Sequence, residues 1–285
     1  MHKEHTMPQP RPFRQVDVFS NVPFLGNPLA VVLDANGLDA AQMQAIARWT
    51  GLSETTFVLA PRDPAADYRV RIFSPEMEFP FAGHPTLGTA HALLDAGMRP
   101  KGARIVQECG VGLVQIERGA GGVLAFQAPP CSTRALAPDL LPQLQTALGG
   151  ELAAGATVAD MGIRWLCVPL ASAAACLAVR ADIAALTPLL AAAGADGLAL
   201  YGPHDAGGPA DYEVRALLSE HGALVEDPVT GSANACIAQL LAGSDYTVRQ
   251  GTCLQRDGRV SVTFRAGHAW IGGACLTVIA GTILA

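Results

Sequence analysis

The sequence contains few charged residues, and basic side chains are the scarcer kind. Charged residues make up 15% of the chain, with 19 Lys and Arg against 25 Asp and Glu, which gives a formal net charge of -6. Proteins that bind nucleic acid present a basic surface that neutralises several phosphates. This composition leaves no basic stripe of that kind, so a nucleic-acid partner is not expected.

Long hydrophobic runs are also absent. The alanine-rich stretch 186–200 is interrupted by Gly194 and Asp196, and it falls short of the roughly 18 uninterrupted apolar residues that a membrane helix needs. Residues 1–11 are polar and proline-rich and lack the apolar core of a signal peptide, so we expect a flexible tail there. These patterns predict a soluble protein with no membrane partner.

Cysteine pairs with the spacing of a zinc site are missing as well. The seven cysteines form no CxxC pair and no cluster with histidine, which argues against a bound metal. An odd number of scattered thiols is typical of the reducing cytoplasm. A cytoplasmic protein without a metal ion is therefore predicted.

The chain is rich in hydrophobic residues and contains an internal repeat. Hydrophobic residues make up 50% of the 285 residues, enough for one large or two medium domains. The segments 68–94 and 212–241 resemble each other, and Tyr-x-Val-Arg opens both, at Tyr68 and Tyr212. Each segment reads as strand, turn, short strand, loop and helix, so the sequence indicates a duplicated unit.

The loops of the two segments can be aligned. HPTLGTA faces DPVTGSA, which equates Gly88 with Gly231. Glycine at these places allows the backbone to approach a ligand closely. The prolines that follow His84 and Asp227 favour an extended backbone at those two residues.

Each loop leads into a helix whose first backbone N–H groups have no partner within the helix. Together with the helix dipole, these groups can hold a carboxylate without a lysine, and Thr89 and Ser232 could add hydroxyl donors. The alternative is that each hydroxyl side chain is an ordinary helix cap. Neither loop matches GxxxxGK[ST] or GxGxxG, so a nucleotide ligand is not expected.

A single glutamate stands out in the N-terminal part. Residues 13–33 predict strand, turn and strand, and a helix that follows ends at Gly51. Glu54 then lies where an apolar strand begins. Such a residue is usually solvated. The alternative, favoured by Leu52 and Phe57, is a partly desolvated carboxyl group that donates and accepts a proton near neutral pH.

Five motifs, in order along the chain, resemble those of the phenazine-biosynthesis-like (PhzF) family from about Phe13 to Ala285. They are VDVFSNVPFLGNPLAVV, GLSETTFV, RIFSPEMEFPFAGHPTLGTA, EDPVTGSA, and GRVSV with WIGG. The resemblance implies an α+β fold of two pseudo-symmetric lobes, each a β-sheet wrapped around a central helix, similar to diaminopimelate epimerase and proline racemase. It also implies an active site in the cleft between the lobes.

The proline-rich stretch 127–138 predicts the boundary between the lobes. The N-terminal lobe is expected to span residues 12–128 and the C-terminal lobe residues 129–273. By similarity to related folds, the last strand, about 274–284, is expected to return and complete the first lobe.

The resemblance also assigns roles to residues. It implies that Glu54 is the general acid/base of a cofactor-free isomerase, and that His84 and Asp227 are further catalytic residues. The substrate-binding residues that it implies are Asn27, Gly83, Gly231 and Ser232. The implied ligand is a small carboxylated molecule such as trans-2,3-dihydro-3-hydroxyanthranilate, and homodimers are common among similar proteins.

Other classes of protein stay open at this point. A two-thiol racemase needs a cysteine at each helix start, but residues 82–89 contain none and Cys236 lies about a turn inside its predicted helix. A racemase or epimerase of an amino-acid-like substrate that does without cysteine is an alternative. So is a noncatalytic protein that binds a small molecule.

Overall fold

The computed structural model describes residues 8–149, 152–153, 155–220, 223–241 and 243–285. In these ranges the chain forms a mixed α/β fold dominated by one large sheet. The strands are β1 (Pro10–Val18), β2 (Asn27–Val32), β3 (Thr55–Leu59), β4 (Tyr68–Phe73), β5 (Glu78–Phe79), β6 (Ile105–Cys109), β7 (Gly112–Arg118), β8 (Leu124–Gln127), β9 (Ser132–Ala135), β10 (Thr157–Asp160), β11 (Arg164–Pro169), β12 (Gly197–Pro203), β13 (Tyr212–Glu220), β14 (Ala223–Asp227), β15 (Tyr246–Gln250), β16 (Gly258–Arg265), β17 (His268–Gly273) and β18 (Cys275–Leu284). The helices are α1 (Ala40–Thr50), α2 (Gly83–Asp95), α3 (Leu141–Leu148), α4 (Ala173–Ala178), α5 (Ile183–Ala193) and α6 (Gly231–Leu240).

The sheet repeats one pairing order twice. In the first half the strands pair as β18–β1–β2–β3–β4–β6–β7–β8. In the second half they pair as β9–β10–β11–β12–β13–β15–β16–β17. Parallel pairs occur at matching places, β2–β3 with β4–β6 and β11–β12 with β13–β15. The duplicated unit predicted from the sequence is therefore confirmed, and it extends well beyond the two similar segments.

The two half-sheets join where β8 pairs with β17, with Gln127 opposite Trp270. At the outer edge of the first half, β18 runs antiparallel to β1 and fills the place that β9 fills beside β10 in the second half. The chain passes from the first half to the second through residues 128–131, between β8 and β9.

Each half-sheet curves around one helix. Helix α2 contacts β1, β2, β3, β8 and β18, and α6 contacts β10, β11, β16 and β17. Small and apolar side chains cover the buried faces of both helices, so strands can approach on several sides. Leu87 of α2 and Ile237 of α6 belong to one continuous core. This is the two-lobed architecture that the resemblance implies, with α1 packed outside the first sheet and α3 and α5 outside the second.

The predicted alignment of the two loops is wrong by five residues. Helix α2 begins at Gly83 and α6 begins at Gly231, so the counterpart of Gly231 is Gly83 and not Gly88. Gly88 lies one turn further on, where a Cβ would be 2.6 Å from Leu29 Cδ2. It allows the helix to pack closely on β1 and β2.

The predicted backbone at His84 is also wrong. His84 lies in the first turn of α2, ahead of Pro85, whereas Asp227 ends β14 and is extended as expected. Proline is tolerated in the first turn because the amides there have no partner within the helix. Proline disfavours a helical backbone at the residue before it, but His84 is helical in spite of this preference.

The N-terminal strand begins earlier than the predicted tail ends. Pro10 and Arg11 pair with Leu284 and Ile283 at the edge of the sheet, while residues 1–7 lie outside the described ranges. No helix in the described part of the chain is both long and apolar enough to cross a bilayer.

Candidate active site

Glu54 is positioned by the end of one element and the start of the next. Gly51 ends α1 in the left-handed conformation, with φ 65° and ψ 16°, and β3 starts at Thr55. The hydroxyl groups of Thr50 and Thr55 lie 2.8 Å apart and fix the short connection. Glu54 is only 8% exposed, as the desolvated alternative required.

Glu54 lines a cavity of about 760 Å³ between the two halves. The first half contributes Ser53, Glu54 and most of the segment 74–80, and the second half contributes Arg164, parts of α5 and Leu218. Of the predicted site residues, Glu54 alone is part of this wall, and the others lie outside the lining set.

His84 reaches Glu54 directly. Its Nε2 lies 3.4 Å from Glu54 Oε2, and its Nδ1 lies 3.4 Å from the side-chain amide nitrogen of Asn27. Burial lowers the pKa of His84 to about 3, so the imidazole is neutral at physiological pH. The two N–H groups of the Asn27 amide are donated elsewhere, so its approach to Nδ1 is a contact only. His84 Nε2 forms no hydrogen bond to a described residue. The contact between His84 and Glu54 is therefore one of a neutral imidazole with a carboxyl group, and not an ion pair.

Asn27 joins the two halves of the site. Its Nδ2 donates to Asp227 Oδ1 over 2.9 Å and to the Val229 carbonyl over 2.8 Å. Thr230 Oγ1 donates to Asp227 Oδ2 over 2.5 Å. A continuous set of polar contacts thus runs from Glu54 through His84 and Asn27 to Asp227.

The two central helices begin against each other. A Cβ built on Gly83 would lie 2.9 Å from Gly231 Cα, and one built on Gly231 would lie 2.9 Å from Gly83 Cα. Neither Ala82 nor Thr230, which occupy the N-cap positions, forms a side-chain cap hydrogen bond. The start of each helix is set by packing between the halves, and the alternative of an ordinary hydroxyl cap is wrong for both.

The two hydroxyl residues have different environments. Ser232 lies in the first turn of α6, and its Oγ accepts a hydrogen bond of 3.2 Å from Trp165 Nε1. Thr89 lies well inside α2 and donates to Thr56 Oγ1 over 2.9 Å. Thr89 is therefore a buried core residue and not a donor at the helix start.

Several polar residues of the site were not found by sequence reasoning. Gln250 donates to Thr230 Oγ1, and its Oε1 accepts from the Thr230 amide. Arg164 lines the cavity, and its guanidinium group forms two hydrogen bonds with the Asp196 carboxylate, of 3.0 and 2.5 Å. No spacing pattern marks them, because strands distant in sequence supply them.

Metal-binding side chains are not grouped at this site. Within the described ranges, no set of three or more His, Cys, Asp and Glu side chains is arranged to hold a metal ion. Cys236 lies inside α6, fully buried, with its thiol directed at the Ala159 carbonyl. It does not take the place of a catalytic thiol at the helix start.

Replacing His84 with glutamine is expected to weaken the dependence of stability on acid pH. Because burial lowers the pKa of His84 from 6.5 to about 3, the unfolded chain binds a proton in this window and the folded protein does not. The free energy of unfolding therefore falls as the pH drops from 6.5 towards 3, by up to about 1.4 kcal/mol per pH unit. Urea unfolding between pH 7 and pH 5 measures this slope.

The exposed His268 offers a matched control. His268→Gln should keep the slope of the unmodified protein, whereas His84→Gln should flatten it. An identical slope in all three proteins would contradict a neutral buried imidazole at residue 84.

Known proteins resemble this chain over nearly all of its length. The family model of the phenazine biosynthesis-like proteins (PhzC-PhzF) matches residues 16–281. A trans-2,3-dihydro-3-hydroxyanthranilate isomerase of Pseudomonas chlororaphis is 36% identical over 267 residues, 87% of this chain and 87% of that protein.

Solved structures also resemble this chain over nearly all of its length. A phenazine biosynthesis protein of the PhzF family from Bacillus anthracis superposes with a TM-score of 0.84 at 26% identity, over 97% of this chain and all 100% of that one. A "probable proline racemase" from Agrobacterium radiobacter K84 superposes with a TM-score of 0.66 at 16% identity, over 96% and 92% of the two chains. The latter likeness concerns the fold alone.

Proposed function

Since the chain belongs to the phenazine biosynthesis-like protein (PhzF) family and is an isomerase, we propose that it moves a proton between two carbons of a small carboxylated substrate. Glu54 is the general acid/base in this proposal, and no cofactor takes part. The observation that carries it is the placement of Glu54, buried in the wall of the cavity between the halves and in contact with His84.

The proposed reaction uses one carboxylate twice. Glu54 removes a proton from one carbon, and the electrons of the broken C–H bond shift into the neighbouring unsaturated system. The protonated Glu54 then returns the proton to a second carbon on the same face of the substrate. A single group can do both because removal and return occur in sequence.

His84 and Asp227 serve this carboxylate in different ways. The neutral imidazole of His84 contacts Glu54 and places no positive charge beside it. Asp227 accepts from Asn27 and Thr230, and thereby keeps Asn27 oriented towards His84. The network preorganises the proton-transfer group before the substrate arrives.

The substrate carboxylate is proposed to bind at the paired helix starts. The first-turn amides of α2 and α6, around Gly83, Gly231 and Ser232, belong to two helices whose positive ends meet. Opposed dipoles of this kind attract an anion towards the helix starts. Likeness to the Pseudomonas isomerase favours a trans-2,3-dihydro-3-hydroxyanthranilate-like molecule as substrate.

Incubation with trans-2,3-dihydro-3-hydroxyanthranilate in D2O tests the proposal. We expect a rearranged product, detected by NMR, with deuterium from the solvent at the carbon that receives the proton, detected by mass spectrometry. A molecule that binds saturably and is recovered unchanged would contradict isomerisation of this substrate and favour the noncatalytic binding protein.

A further inference from the structure

A second cavity lies on the other side of the segment that walls the first. Its volume is about 700 Å³, and Arg62, Arg69 and Arg71 all line it. Arg69 and Arg71 are two residues apart on β4, so their side chains leave the same face of the sheet. Arg62 lies in the loop before β4. Three cations of an acidic protein thus border one pocket.

One nitrogen of Arg69 has no hydrogen-bond partner in the described part of the chain. Its Nε is buried and makes no hydrogen bond. The residue opposite Arg69 on β6 is Glu108, but Glu108 Oε2 accepts the backbone amides of Arg62 and Asp63 over 2.6 and 3.0 Å. Glu108 is therefore hydrogen-bonded to the loop, and it acts on Arg69 only as a nearby negative charge.

Of these three arginines, Arg71 alone forms a bidentate ion pair with a carboxylate of a described residue. Its Nε and Nη2 donate to the two oxygens of Glu78 over 2.7 and 2.6 Å. Three guanidinium groups face two carboxylates, Glu78 and Glu108, which leaves an excess of positive charge. Partial burial and the neighbouring Arg62 lower the pKa of Arg69, while Glu108 acts in the opposite direction, so the charge of Arg69 is only partly compensated.

A pocket lined by three guanidinium groups and two carboxylates attracts an anion that balances the excess charge. We propose that this cavity is an anion site, which binds phosphate or a phosphate monoester through Arg69 and Arg62. Arginine presents a planar set of donors that matches phosphate oxygens. The oxygens of the ligand accept from the guanidinium groups of Arg69 and Arg62, which both line the cavity.

The remaining wall suits a ligand with a small apolar body. Leu38 and Met43, from the region of α1, and Leu59 and Phe79 line the same cavity. Met43 and Leu59 are already buried in a core cluster, but Leu38 and Phe79 are partly exposed, and an inorganic ion would not cover them. A monoester would place its phosphate on the arginines and its organic group against this apolar side.

Calorimetric titration of the full chain with inorganic phosphate and with phenyl phosphate, at constant ionic strength, tests the site. We expect both probes to bind, phenyl phosphate more tightly. Arg69→Gln should weaken both by about tenfold or more, since hydrogen bonds between charged groups are the strong ones. Tighter binding of inorganic phosphate would assign the site to the free ion.

Two further variants make the result decisive. Arg99→Gln removes an exposed arginine outside the cavity and should bind both probes like the unmodified chain. Arg62→Gln, in an exposed loop, should also weaken binding, and it carries the test if circular dichroism shows that the Arg69 variant is unfolded. The proposal is overturned if neither probe binds at millimolar concentration, or if a folded Arg69 or Arg62 variant binds as well as the Arg99 variant.

Discussion

Replacing Glu54 with glutamine is expected to lower turnover by about 10²–10⁴-fold, because the substitution removes the group that takes and returns the proton. Glutamine has nearly the same shape as glutamate and can occupy the same place beside His84. The fold, the melting temperature and the affinity for the substrate should therefore change little. Steady-state kinetics, with binding measured separately by calorimetry, distinguish the loss of chemistry from a loss of binding.

Glu117 provides the matched control. It is a partly exposed glutamate on β7, paired with Arg104 and Arg265 far along the sheet from the cavity. Because exposed pairs contribute little, Glu117→Gln should keep normal turnover. Equal turnover in the Glu54 and Glu117 variants would remove Glu54 from the mechanism and with it the proposed function.

Replacing Gly231 with alanine is expected to damage both stability and activity. The new methyl group would lie 2.9 Å from Gly83 Cα and 3.0 Å from the His84 amide nitrogen. These are backbone atoms that cannot rotate away, so the two halves must separate. We expect a loss of about 1–3 kcal/mol in the free energy of unfolding, and about a 10²-fold loss in turnover from displaced catalytic groups.

The same substitution at Gly102 separates this effect from a general cost of losing glycine. No heavy atom lies within 4 Å of a Cβ built there, so Gly102→Ala should leave turnover and the unfolding midpoint in urea unchanged. If the Gly231 and Gly102 variants behave alike, the close approach of the helix starts is not required for the site.

Local patterns predicted the elements that local interactions determine. Gly51 ends α1 in the left-handed conformation, which glycine adopts readily. The alternating strands after Tyr68 and Tyr212 also lie where the sequence predicts them. Glu54 could be singled out in the same way, since the helix end and the apolar strand on either side fix its position.

The starts of the central helices could not be predicted in the same way. A helix start is usually signalled by a capping side chain, but Ala82 and Thr230 supply no side-chain cap. Packing of Gly83 on Gly231 sets the start instead, through a contact between residues far apart in the chain. The loops were therefore aligned on Gly88, whose surroundings in the sequence resemble those of Gly231.

The hydrogen bonds between polar side chains of the site could not be predicted from local patterns either. Asn27 and Asp227 were predicted as site residues from the resemblance, but the hydrogen bond between them joins strands β2 and β14 of different halves. Gln250 and Trp165 contact Thr230 and Ser232 in the same long-range way. Only the folded topology brings such side chains together.

The pairing of β18 with β1 constrains how the protein can be made. During translation the N-terminal part of a chain usually folds first, yet here the edge of the first half is closed by a strand that the ribosome produces after the entire second half. Until then β1 presents an open edge, which is prone to pair with other chains. We therefore expect the first half to reach its native form only after synthesis has passed β18, with slow formation of this long-range pair.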